Sequence, residues 1–190
     1  MNERRLNDGK QSAKPTQAKD PAETNPPRTL EPRTVKASQS QMAEVIFPND
    51  ANPLGHLMGG RLMQLIDVAG AMAAHRHSRS YVVTASMDHL DFLAPVAVGD
   101  LLVLKSSVNR AFKTSMEVGV KCWVENYITA QTTHISSAYL TFVAVDLEGH
   151  RLPVPPVIPE TPEEKRRYEG AGRRREHRMQ EMAAKTAGKQ

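Results

Sequence analysis

The sequence predicts an α+β domain in which one long apolar helix lies against an antiparallel sheet. Three observations point there. Residues 61–78 place Leu62, Leu65, Ile66, Ala69, Met72 and Ala73 at helical spacing, and the opposite side (Met63, Asp67, Gly70, Ala71, Ala74) is apolar or small apart from one carboxylate. From residue 81 onward the period becomes two and holds through four long runs. Short turn signals, Pro95, Gly99-Asp100 and Glu148-Gly149 among them, separate these runs instead of helices, which excludes an alternating β-α layout.

In chain order, residues 42–47 form a first short strand, ended by Pro48, Asn49 and Asp50. A loop dense in turn formers follows (PNDANPLGHLMGG), and then the helix. The strand runs are 81–93, 101–108, 115–125 and 133–146. In the third, Met116, Val118, Val120, Cys122 and Val124 point one way, and Glu117, Lys121 and Glu125 the other. A helix so apolar is expected to be buried on most sides, with the strands wrapping round it. The free edges of such a sheet invite pairing with a second copy.

Three segments are expected. Residues 1–38 hold Leu6, Leu30 and Val35 as their only large aliphatics and cannot offset the entropy of ordering, so they form a disordered tail. Residues 39–159 make the domain. Residues 160–190 form a charged, partly helical tail. The net charge of +4 divides as +3 over 1–40, +3 over 160–190 and −2 between them, so the domain itself is slightly acidic and no nucleic-acid partner is expected. The single cysteine, Cys122, excludes an intrachain disulfide and reads as a buried inert thiol. The N-terminus has no apolar core of a secretory signal, and the apolar stretch near 62–74 is too short for a bilayer and contains Asp67. A cytoplasmic protein without membrane contact is expected.

Asp67 is the most informative residue. A carboxylate on an apolar helix costs several kcal/mol (about 3–5) unless it is paired or faces a wet pocket, and no Lys or Arg lies three or four residues away. The small residues Gly70, Ala71 and Ala74 would leave room beside it. Gly59 and Gly60, where the helix begins, can turn unobstructed N–H groups toward developing negative charge, as a thioester carbonyl acquires on becoming tetrahedral; a tight turn explains them equally. Asn52 can orient a water or a carbonyl, or serve a turn. His56 lines a pocket or only covers the loop. His75 and His77 read as partners of the helix dipole, and no His, Asp and Glu set has metal spacing, so no metal is expected.

From 42 to about 178 the chain resembles the hotdog-fold acyl-CoA thioesterases, in the branch of the YciA-type and cytosolic brain-type acyl-CoA hydrolases. The motifs are PNDANPLGHLMGGRLMQLID, VVTASMDHLDFLAPVAVGD, KTSMEVGV, LTFVAVDLEG and PVPPVIPETPEEKRRYEGAGRRREHR. The resemblance implies a hotdog fold and hydrolysis of acyl-CoA to a fatty acid and CoA. It implies Asp67 as general base or nucleophile, Asn52 acting with it from a neighbouring subunit, and Gly59 and Gly60 polarising the carbonyl. Lys113, Thr114 and Ser115 would lie near the CoA moiety, with His56 lining the pocket and the basic run at Arg173 and Arg174 meeting CoA phosphates. No cofactor is implied beyond the CoA of the substrate. Self-association as a hotdog dimer, and further as a trimer of dimers, is implied too.

Two other functions fit the same outline. A hydratase or dehydratase of enoyl or hydroxyacyl thioesters would pair an acid with a histidine, but the nearest histidine on the helix, His75, is two turns from Asp67. A non-catalytic acyl-CoA-binding regulator would need a partner-binding module, and the proline-rich N-terminal segment lacks amphipathic period.

Overall fold

The computed structural model describes residues 29–187, so most of the tail expected over 1–38 lies outside the described residues. The domain is one helix, α2 (Gly59–Ser78), on a five-stranded antiparallel sheet. Its strands are β2 (Ser40–Val45), β3 (Tyr81–Phe92), β4 (Leu101–Ala111), β5 (Ser115–Glu125) and β6 (Thr132–Val145), in the spatial order β2-β4-β5-β6-β3. β3 is therefore an edge strand, paired along one side to β6. A short parallel pair, β1 (Arg33–Thr34) with β7 (Val157–Ile158), closes one corner. The last element is α3 (Pro162–Ala187).

The alternation in β5 sorts as expected. Met116, Val118, Val120 and Cys122 face α2 and are fully buried, each large side chain contributing about 1.5–3 kcal/mol. Burial pushes the Cys122 thiol up to about 12, which keeps it protonated and inert. From the helix, Leu62, Leu65, Ile66, Ala69, Gly70, Ala73 and Ala74 are buried. Gly70 is required by a close approach: a Cβ there would meet the buried Phe142 ring at 2.9 Å. Ser106 Oγ donates to the Ala69 carbonyl at 2.6 Å and fastens helix to sheet.

The sheet curls round α2 as expected, all five strands touching the helix, and leaves one side open, where Met63 and Val68 are exposed. The helix looked buried all round because its second apolar side has no cover within the chain. Three expectations need correction. Gly70 and Ala74 face the sheet, so they do not make room beside Asp67. The boundary after residue 38 falls too late. In α1 (Val35–Ser38), Val35 joins the core, and Ser38 Oγ accepts the Val108 N–H (2.9 Å) just beyond the Ser40–Ser106 pair that ends the β2–β4 ladder. Lastly, His77 is no dipole partner. It is fully buried, its Nε2 donates to the Pro155 carbonyl (2.8 Å), and burial lowers its pKa, which holds it neutral.

The expected solvated face of α3 is also different. Its basic residues lie over the outer sheet face, the one away from α2. Glu117 is wholly buried beneath it and accepts from Arg174 at 2.6 and 3.1 Å, and from Asn109 Nδ2 at 3.1 Å. Arg174 also stacks 3.7 Å from the centre of the Tyr139 ring.

Candidate active site

The loop 51–58 is shaped by one side chain. Asn52 Oδ1 accepts the N–H groups of Leu54 (2.9 Å) and His56 (3.2 Å), while its own N–H donates to the His56 carbonyl at 2.7 Å. This fixes the carboxamide: Oδ1 faces the loop, and the Nδ2 hydrogens are what Asn52 can offer outward. Gly55 takes the left-handed conformation (φ 76°) that the reversal needs. Arg61 ties the loop to the helix start, donating to Asp50 (2.8 Å) and to Glu44 of β2 (3.2 Å).

α2 then begins at Gly59 after Met58, without a side-chain cap, and Leu62 makes the first helical bond, to the Met58 carbonyl (3.0 Å). The N–H groups of Gly59, Gly60 and Arg61 precede that bond and are free of intrahelical acceptors. Gly60 is exposed and a Cβ there would meet nothing; one at Gly59 would touch the Phe92 ring at 3.4 Å. A cavity of about 310 Å³ opens beside this helix end, lined by Asn52, His56, Leu57, Leu62 and the 92–96 segment. Asn52, His56, Gly59 and Gly60 thus form one cluster.

Asp67 belongs to another. It lies about 12 Å further along the helix axis from Gly59, half-exposed on the side the sheet leaves open. Thr84 of β3 donates its hydroxyl hydrogen to Asp67 Oδ1 at 2.5 Å, leaving Oδ2 free. The sequence reading missed Thr84; its inward position on β3, one turn of alternation from the core residue Val82, was the available signal. Among the described residues no hydrogen bond joins Asn52 to Asp67. One chain therefore holds two separate clusters, an amide-donor end and a carboxylate end, each facing outward.

The residues expected near CoA are distributed differently. Lys113 is exposed at the β4–β5 turn, where the Lys113 and Thr114 carbonyls accept from Val154 (3.1 Å) and Ala144 (3.0 Å). Ser115 Oγ accepts from Arg175 (3.3 Å). Arg173 is exposed on α3, across the sheet from Asp67. Arg174 is not available to phosphates, because its guanidinium is committed to Glu117 and Tyr139. Its charge looked free in sequence because the buried acid opposing it is 57 residues away. Asp146, Glu148 and His150 come within 4.8 Å at the turn after β6, which spacing alone did not foretell. Asp146 there caps its own turn by accepting the His150 N–H at 2.8 Å.

The thioesterase superfamily model matches residues 54–142, the span from the loop into β6. The uncharacterized acyl-CoA thioester hydrolase YkhA of Bacillus subtilis is 43% identical over 136 residues, 72% of this chain and 79% of that one. Among solved structures, the acyl-CoA hydrolase of Staphylococcus aureus in complex with coenzyme A superposes with a TM-score of 0.78 at 34% identity, covering 83% of this chain and 95% of that one. Alanine variants of that hydrolase at an asparagine, an aspartate and a threonine have been solved; the three positions follow one another at intervals of 15 and 17 residues. Here Asn52 precedes Asp67 by 15 residues and Thr84 follows it by 17. A hexameric acyl-CoA thioesterase has a TM-score of 0.77 at 40% identity, covering 80% of this chain and 98% of that one.

Proposed function

The chain belongs to the hotdog thioesterase family, and from that membership we propose that it hydrolyses acyl-CoA thioesters at a site shared between two copies. The reaction is R–CO–S–CoA plus water to a carboxylic acid and CoA, with CoA entering only as part of the substrate. The observation that carries this reading is the Thr84-held carboxylate of Asp67 on the open side of α2, separated in its own chain from the amide donors of Asn52, Gly59 and Gly60.

Pairing of two β3 edges supplies what each chain lacks. It covers the free edge, puts Met63 and Val68 against a partner, and brings one copy's carboxylate to the other's helix start. Thr84 orients Asp67 so that Oδ2 takes a proton from water as the water oxygen attacks the thioester carbon. The helix-start amides and Asn52 Nδ2 donate to the carbonyl oxygen, whose negative charge grows as the C–O bond forms. The C–S bond then breaks, and the departing thiolate takes the proton back from Asp67. His56 lines the acyl side of the cavity, and Lys113 with Arg173 supplies positive charge at the surface for CoA phosphates. A trimer of such dimers is the assembly we infer from the hexameric relative. Among the described residues no helix is long and apolar enough to cross a membrane.

Complementation tests the shared site. Asn52→Ala and Asp67→Ala each lose about 10²–10⁴-fold in turnover while remaining folded by far-UV spectrum. Mixing the two inactive proteins under subunit exchange restores about a quarter of parental activity, since half the dimers are mixed and each holds one intact site. If the mixture stays inactive although exchange is demonstrated by label transfer, the shared site is wrong. If neither variant loses activity, the assignment to Asp67 and Asn52 fails altogether.

A further inference from the structure

We propose that the end of α3 clasps a second copy of the chain, packing Met179 and Met182 on the outer face of that copy's β3 at Tyr81 and Val83. This rests on the β3-paired assembly proposed above. The course of α3 over the sheet points to it. Gly172 lies against Arg110 of β4, Arg174 pairs with Glu117 of β5 and stacks on Tyr139 of β6, and Arg178 pairs with Asp88 of β3, the edge strand. Helical side chains lean toward the N-terminus, so the Cα of Arg178 stands at or beyond β3. Residues 179–187 continue for about 14 Å beyond that point.

The overhang keeps a sheet-facing side. Met182 follows Ala171, Arg174 and Arg178 along the same underside at spacings of three and four residues, and Met179 flanks it. Ala171 is fully buried, yet Met179 is 54% and Met182 62% exposed. On β3, Val82 packs into the core, so Tyr81 and Val83 stand on the outer face; they are 51% and 50% exposed. Antiparallel pairing sets the first half of one β3 beside the second half of the other. With the two strands overlapped end to end, the second copy's Tyr81 and Val83 lie opposite Phe92 and Leu90, just past Asp88 and beneath the overhang. Two-fold symmetry repeats the contact, so each copy both clasps and is clasped.

The test uses the full chain. Met182→Cys and Val83→Cys are made in separate proteins, mixed under subunit exchange and oxidised; Cys122 is buried and does not compete. A covalent dimer of mixed composition on a non-reducing gel is expected. In parallel, Met179→Lys/Met182→Lys should raise the concentration at which the assembly dissociates in sedimentation by about tenfold or more, with the far-UV spectrum unchanged. If the parent assembles through β3, shown by complementation between Asn52→Ala and Asp67→Ala, yet the mixed dimer does not form and the lysine variant dissociates like the parent, the clasp is wrong and the pairing stands. A parent that sediments as a monomer overturns both.

Discussion

Replacing Arg174 by Met separates a structural role from a substrate-binding one. Glu117 is wholly buried, and its carboxylate accepts from Arg174 at 2.6 and 3.1 Å and from Asn109 at 3.1 Å. Arg174→Met leaves that carboxylate with the single neutral donor. Stranding one member of a buried pair costs about 3–5 kcal/mol, and the Tyr139 stacking lost with it is worth about 1 kcal/mol. The Arg174 side chain is 28% exposed, which admits water to the gap and favours the lower end, about 3 kcal/mol. For a domain of this size that lowers the melting temperature by about 6–12 °C. Glu117→Gln removes the stranded charge and keeps an acceptor for Asn109, so Arg174→Met/Glu117→Gln should regain more than half the loss. Differential scanning fluorimetry reads the stability, and thiol release from short-chain acyl-CoA reads kcat and KM. An Arg174→Met protein that melts with the parent but has a raised KM would refute the reasoning, since the guanidinium would then serve the substrate and the ion pair would contribute nothing.

Thr84→Val keeps the shape of β3 but frees Asp67 Oδ1; losing a charge-assisted hydrogen bond of about 1.5–3 kcal/mol should lower kcat by at least about tenfold with KM little changed, in steady-state assays. Gly70→Ala gains about 1 kcal/mol of helix propensity but drives a methyl to 2.9 Å from the immobile Phe142 ring, so chemical denaturation should show a net loss of about 1–2 kcal/mol. His77 has a pKa lowered by burial, so the unfolded chain binds a proton that the native one excludes. The stability it contributes is intact above about pH 6.5 and falls as pH drops toward the native value, by at most about 1.4 kcal/mol per pH unit. Melting curves at pH 7.5 and 5.5 should therefore fall more steeply for the parent than for His77→Gln.

The helix, the four long strands and their inward faces were determined by the sequence alone, because periodicity is a property of neighbours along the chain. The alternation from Met116 to Val124 and the spacing from Leu62 to Ala73 each state which side is apolar, and burial follows the apolar side. The candidate residues were legible in the same way: a carboxylate on an apolar helix and a Gly-Gly pair at its start stand out locally. What lies across the fold did not. Thr84 reads as one more strand residue until β3 lies beside α2 and turns its hydroxyl to Asp67. Arg174 reads as a free cation until the register of β5 sets Glu117 beneath it. His77 reads as charged until the 155 segment closes over it. Only the tertiary structure decided these, because the energy of a buried charge or hydroxyl depends on its partner in space, and the partners are 17, 57 and 78 residues distant. The same reason divides Asn52 from Asp67: adjacent in motif, they stand at different ends of an open helix face, and a second copy is needed to bring them together.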